Sequence, residues 1–190
     1  MKISSWANAA LGFLWLVFWI YWLVSAAFAK KTVRPTGQTW FISRIVLIAL
    51  VVIVCNLPVA RTFFRERLLP SDELFDWSAV LICALGFAFA IWARVHLGRN
   101  WGMPMTMREE PELVTSGPYR FVRHPIYSGI LLALLGTSLV GLRVWLLVFF
   151  FFVAYFVFSA VTEEKLMAET FPEQYQEYKK RSKMIVPFLF

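Results

Sequence analysis

Residues 113–129 read LVTSGPYRFVRHPIYSG, a polar segment punctuated by glycine and proline inside an otherwise apolar chain. It gathers Tyr119, Arg120, Arg123, His124 and Tyr127 just where a new hydrophobic run opens near Ile126. Ionisable groups at membrane depth are costly and mark functional sites, so the segment reads as a ligand-binding turn. Gly117 and Pro118 turn the chain, and Pro125 suits the first turn of a helix, where its missing N–H is not needed. His124 then stands at a helix N-terminus, whose free N–H groups and positive dipole end favour a carboxylate or phosphate. Arg120 and Arg123 add to that bias, while Tyr119 and Tyr127 offer ring faces and hydroxyls. The competing explanation is an interfacial belt, since arginine and tyrosine are common at membrane surfaces.

Outward from this turn the chain is made for lipid. Of its 190 residues, 59% are hydrophobic and 16% charged, with a mean hydropathy of +0.64. Soluble domains run about 45–50% apolar and about 25% charged. Crossing a hydrocarbon core of about 30 Å takes about 20 apolar residues, and such runs cover residues 6–29, 41–60 and 77–95. The block 126–161 is too long for one helix; Gly141, Leu142 and Arg143 divide it into a hairpin whose first span is short. Residues 60–77, where Phe63, Phe64, Leu68 and Leu69 alternate with Arg61, Arg65 and Arg67, suit an interfacial segment. The N-terminal run exceeds the roughly 7–15 residues of a signal-peptide core, which favours an uncleaved anchor. The expected architecture is all-α and polytopic, with about five transmembrane helices, the last two a helical hairpin, and a cytoplasmic C-terminal helix. One membrane domain is expected over 1–190, with N-terminal spans in 1–76 and the functional core in 77–190.

The formal net charge of +7 follows from basic residues at membrane edges and does not imply nucleic acid. Positive residues fall mostly in 30–44, 94–123 and the tail, leaving Lys2, Arg61, Arg65, Arg67 and Arg143 on the other side. This bias predicts the N-terminus outside and the C-terminus inside, which puts the 113–129 turn and the tail on one face. Cys55 and Cys83 lie in apolar runs as small hydrophobes, and with only His96 and His124 as histidines no metal site is expected.

The tail begins with Glu163 and Glu164, immediately after the last apolar run. Neighbours on a helix point about 100° apart, so one of the two is expected to face a pocket. Alone they read as the solvated start of a helix; their return to the face of His124 makes them candidates to bridge a ligand with anionic and cationic ends. Pro172 either kinks the tail helix or opens a second one. Tyr175 and Tyr178, three apart, share a face, and Lys179, Lys180 and Arg181 suit an anionic leaflet. Arg94, His96, Arg99 and Trp101 either line the same cavity or anchor their helix.

The turn, the hairpin, the EE pair, the Tyr-x-x-Tyr tail and the closing Pro187 together resemble the isoprenylcysteine carboxyl methyltransferase family, which is related to membrane phospholipid N-methyltransferases. The resemblance covers residues 92 onward; the first two spans match in hydropathy alone. It implies a cytosol-facing pocket for S-adenosylmethionine without a Rossmann domain. Leu113, Val114, Tyr119, His124, Pro125, Ile126, Tyr127 and Glu163 would be the cofactor contacts. A lipophilic or lipidated methyl acceptor is implied, most readily a carboxylate, which needs no general base. For an amine nucleophile, Glu164 is the candidate base. The chain departs from the family at Ser159, where the eukaryotic branch carries a substrate-binding arginine that Arg123 or Arg99 would have to replace, and at Phe171–Pro172, where Phe–Gly is common. Phospholipid or amine N-methylation, a sterol-type membrane reductase and a non-catalytic membrane protein are the alternatives.

Overall fold

The structure is a computed structural model that describes residues 5–28, 32–34, 72–101, 107–108, 112–140 and 143–186. Its helices are α1 (Ser5–Ala26), α2 (Glu73–Leu97), α3 (Pro125–Val140), α4 (Arg143–Thr170) and α5 (Pro172–Arg181). Two short strands, β1 (Thr32–Arg34) and β2 (Met107–Arg108), pair antiparallel. The run 41–60, the segment 60–71, Cys55 and Pro187 lie outside the described residues.

Among the described residues, three helices are long and apolar enough to cross a membrane: Trp6–Ala26, Glu73–Leu97 and Arg143–Thr170. Their outward faces carry Phe13, Leu23, Leu81, Leu85, Phe150 and Phe158, all exposed. An apolar surface of that kind is stable only in lipid. The protein is an integral membrane protein. The 16 residues of α3 span about 24 Å at 1.5 Å per residue, short of the bilayer core. The 28 residues of α4 reach about 42 Å, so its last turns project past the hydrocarbon. The acidic pair therefore belongs to the same continuous helix as the last span, rather than following it.

Helix α2 starts cleanly because Asp72 caps it, its carboxylate accepting the N–H of Phe75 at 3.2 Å. At that end Trp77 stacks on Trp6 with ring centroids 4.2 Å apart. At the other end Arg94 donates to the carbonyls of Ser25 at 2.7 Å and Gly98 at 2.6 Å, and its guanidinium lies 4.7 Å from the Trp101 ring centroid. Matching ends thus meet, and α1 and α2 run parallel. Helix α3 packs antiparallel on α2 with almost no space between backbones. A Cβ on Gly129 would lie 2.6 Å from Ala90 N and from Gly86 O; one on Gly136 would lie 2.6 Å from Ala79 O and Cys83 N. Small residues permit this approach, which is how helices associate where lipid removes the hydrophobic drive. Trp15 Nε1 donates to Thr137 Oγ1 at 3.1 Å, tying α1 to the same seam, and Cys83 is buried in it.

Helix α4 returns antiparallel to α3, and Pro172 opens a separate helix, α5, rather than kinking α4. After α5 the chain folds back: Val122 and Lys183 form a parallel bridge. Arg123 N donates to Lys183 O at 2.8 Å and His124 N to Met184 O at 3.0 Å. The C-terminal segment thereby lies alongside the turn, joined to it by one bridge and these backbone hydrogen bonds.

Candidate active site

Before α3, Gly117 adopts φ +57, and a Cβ there would collide with the His96 ring. Only glycine satisfies both the left-handed backbone and the missing space. The turn it makes carries Tyr119 into the interior, where its carbonyl accepts the Tyr178 hydroxyl at 2.6 Å. Both phenols are held above their ordinary pKa, chiefly by burial, and stay neutral.

His124 stands between the two carboxylates. Its Nδ1 is 3.4 Å from Glu163 Oε2 and its Nε2 is 3.8 Å from Glu164 Oε1. Both acids therefore reach one imidazole, where the helical angle suggested that one would. Their side chains start apart, but His124 lies between them and is met from both sides. Burial disfavours the charged ring; the two carboxylates outweigh it and raise its pKa above the usual 6.5. The contact at 3.8 Å is electrostatic, and Nε2 is a buried nitrogen without a hydrogen-bond partner among the described residues.

Each acid has its own supports. Glu163 Oε1 accepts the Tyr127 hydroxyl at 2.6 Å. The Tyr127 ring lies parallel to His124, centroids 5.4 Å apart, and stacks on Phe156 at 4.4 Å. Glu164 accepts from Arg123 Nε at 2.6 Å and faces Lys179 Nζ at 3.0 Å. Arg123 Nη1 also donates to Ser182 O at 2.5 Å. Arg123 is thus a clamp between α4 and the C-terminal segment, with its Nε and Nη1 both engaged. Three cationic partners around Glu164 oppose its use as a base.

The other expected contacts fall around this cluster. Pro125, Ile126 and Tyr127 are buried at the head of α3, and Leu113 and Val114 are partly buried on the approach to the turn. Ile126, Tyr119 and Tyr127 share one apolar cluster with Val114, Trp101 and Phe156. The helix N-terminus is less free than expected, because the 183–185 segment takes the N–H groups of Arg123 and His124. Arg94 and His96 anchor helix and turn; the Arg99 side chain lies outside the described set. Lys179, read as a membrane-surface lysine, belongs to the site. No pattern in the sequence signalled this, since it depends on how α5 folds back.

A helical membrane protein with an acid–histidine–acid cluster at one bilayer face is the class these features define. The sequence profile of the phospholipid methyltransferase family matches residues 75–174, and the chain belongs to that family. It is 33% identical over 136 residues to the cobalt-zinc-cadmium resistance protein CzcN of Cupriavidus metallidurans, covering 69% of this chain and 62% of that one. It is 39% identical over 79 residues to the protein-S-isoprenylcysteine O-methyltransferase of Saccharomyces cerevisiae, covering 40% of this chain and 33% of that one. The enzyme of the same name in Schizosaccharomyces pombe is 29% identical over 121 residues, covering 62% and 51%. The chain thus spans from a third to about three-fifths of the length of these relatives.

Proposed function

We propose that this protein is an integral-membrane methyltransferase that uses S-adenosylmethionine and acts on a lipophilic acceptor, a carboxylate of the isoprenylcysteine type. The observation that carries the reading is His124, flanked by Glu163 and Glu164, which raise its pKa, with a buried Nε2 that has no hydrogen-bond partner among the described residues. That donor set fits an amino acid end carrying a carboxylate and an ammonium. His124 Nε2 would take the carboxylate, and Glu163 the positive charge. Leu113, Val114, Tyr119 and Ile126 would supply apolar walls. When bound, S-adenosylmethionine offers an electrophilic methyl group on a sulfonium.

The chain's own part is alignment and exclusion of water. The Tyr127–Phe156 stack fixes one wall, and the Tyr127 hydroxyl fixes the Glu163 carboxylate. Arg123 and Lys179 hold Glu164 ionised beside His124, which favours the protonated imidazole and orients it. We assign Arg123 and Glu164 this positioning role. A carboxylate acceptor is already ionised at neutral pH, so no base is required of the site.

We place the site on the cytoplasmic face. Its end of the bundle carries Arg120, Arg123, Lys179, Lys180, Arg181 and Lys183, while Glu73 and Asp76 lie at the opposite end, in the first turn of α2. The test is transfer of labelled methyl from S-adenosylmethionine to N-acetyl-S-farnesylcysteine by purified protein in lipid. The reading predicts a base-labile methyl ester. A base-stable product on phosphatidylethanolamine would favour N-methylation, and transfer to neither acceptor contradicts the proposal.

A further inference from the structure

By sequence Lys179, Lys180 and Arg181 suit an anionic leaflet; the fold redraws that set. Lys179 leaves it, because its Nζ lies 3.0 Å from Glu164. Arg120 of the turn and Lys183 of the closing segment join Lys180 and Arg181, and all four are exposed. The ion pairs among the described residues engage Arg123, His124 and Lys179, and none of these four.

Backbone contacts bring the four to one surface. The Tyr178 hydroxyl donates to Tyr119 O at 2.6 Å and Lys183 N donates to Phe121 O at 3.0 Å. The end of α5 and the segment after it therefore run beside residues 119–123. Beside these cations stands Phe121, 52% exposed, although Tyr119 and Val122 around it are buried. Helix α3 begins at Pro125, four residues on, so the ring stands near the level where a membrane helix enters the bilayer. At that level an aromatic ring meets the acyl boundary while basic side chains meet headgroups, the division that holds interfacial helices. Arginine and lysine bind phosphate through charge-assisted hydrogen bonds. The acids of α5 do not cancel the patch. Glu177 is exposed one turn before Arg181, and Glu173, also exposed, lies about 12 Å from Arg181 along the helix.

We propose that this surface binds an anionic phospholipid of the surrounding leaflet, with Arg120, Lys180, Arg181 and Lys183 meeting its phosphate and Phe121 its acyl boundary. Geometry favours lipid over an acidic protein, since the patch stands where headgroups already are, and an acidic segment gains nothing from an exposed ring. A phosphate shared by the turn and the closing segment fastens one to the other, so the bound lipid stabilises this end of the fold. The proposal is independent of the reaction the site performs.

The experiment follows the full chain in phosphatidylcholine nanodiscs as phosphatidylglycerol replaces part of the lipid. Thermal unfolding reads the stabilisation, and mass spectrometry of the released protein counts retained phosphatidylglycerol. The wild type should gain Tm and retain phosphatidylglycerol. Each basic residue near an anionic leaflet is worth roughly fivefold in affinity. Combining Arg120→Gln, Arg181→Gln and Lys183→Gln should therefore weaken lipid binding about a hundredfold and abolish both signals. Phe121→Ser should need more phosphatidylglycerol for the same gain. Lys165→Gln, exposed on α4 outside the patch, should behave as wild type. No gain in the wild type overturns the proposal, as does equal retention by the combined variant. So does an equal gain from soluble poly-glutamate or glycerol phosphate in phosphatidylcholine discs, which would mark a dock for an acidic protein or a free phosphate.

Discussion

His124 is where charge and burial contend, and its proton carries a measurable signature. Its pKa is raised in the folded protein, because Glu163 and Glu164 outweigh burial. The stability this contributes is therefore complete below the unfolded value of about 6.5 and is lost as pH rises through the folded value. Thermal unfolding across pH should show the wild type's advantage over His124→Asn flat at acid pH and shrinking above 6.5. An advantage that grows with pH contradicts a protonated His124. Arg123→Met tests the clamp: it removes the closest cation from Glu164, 2.6 Å away, at a cost of about 3 kcal/mol, the loss seen when one partner of a buried pair is removed. Unfolding in mild detergent measures it. The sequence already showed His124, Glu163 and Glu164 as candidates, because polar residues stand out in an apolar chain. It did not show Lys179 as the second cation on Glu164 or that one histidine is met from both sides. Both depend on side chains converging from helices that share no local pattern.

Among the elements, the α2–α3 seam is the most exacting. Gly86, Gly129 and Gly136 let backbones touch, and any side chain there must push the helices apart. Gly129→Ala should lose about 2 kcal/mol or more, the range for overpacking. Gly12→Ala, with nothing within 4 Å of the new Cβ, should be neutral or gain a few tenths through helix propensity. If the two variants unfold alike, the close approach is not what the seam depends on. Hydropathy made the described helices legible, including the short first arm of the hairpin, with boundaries near the observed ones except at the end of α4, which runs past the apolar block to Thr170. The seam was not legible, since scattered glycines in two runs become a motif only when the runs are known to be antiparallel neighbours. Pro172 could kink or restart a helix on local grounds, and the fold-back of α5 onto Tyr119 decides for a restart.

At the scale of the whole molecule, the described helices form a bundle with the His124, Glu163 and Glu164 cluster at one end. The matched ends of α1 and α2, the head of α3, the projecting end of α4 and all of α5 gather there, and the segment after α5 closes over the turn. Truncation before Ser182 removes the carbonyls that hold Arg123 and His124 in place. It should abolish S-adenosylhomocysteine binding while leaving the membrane-inserted helices intact by circular dichroism. Full affinity in the truncated chain would show that the segment is not part of the site. The central claim is that the His124–Glu163–Glu164 cluster is a methyl-donor site. Calorimetry of S-adenosylhomocysteine on purified wild type beside His124→Ala reads it directly. The account predicts micromolar binding by the wild type and none by a variant that remains folded; equal binding by both, or none by a well-folded wild type, contradicts it.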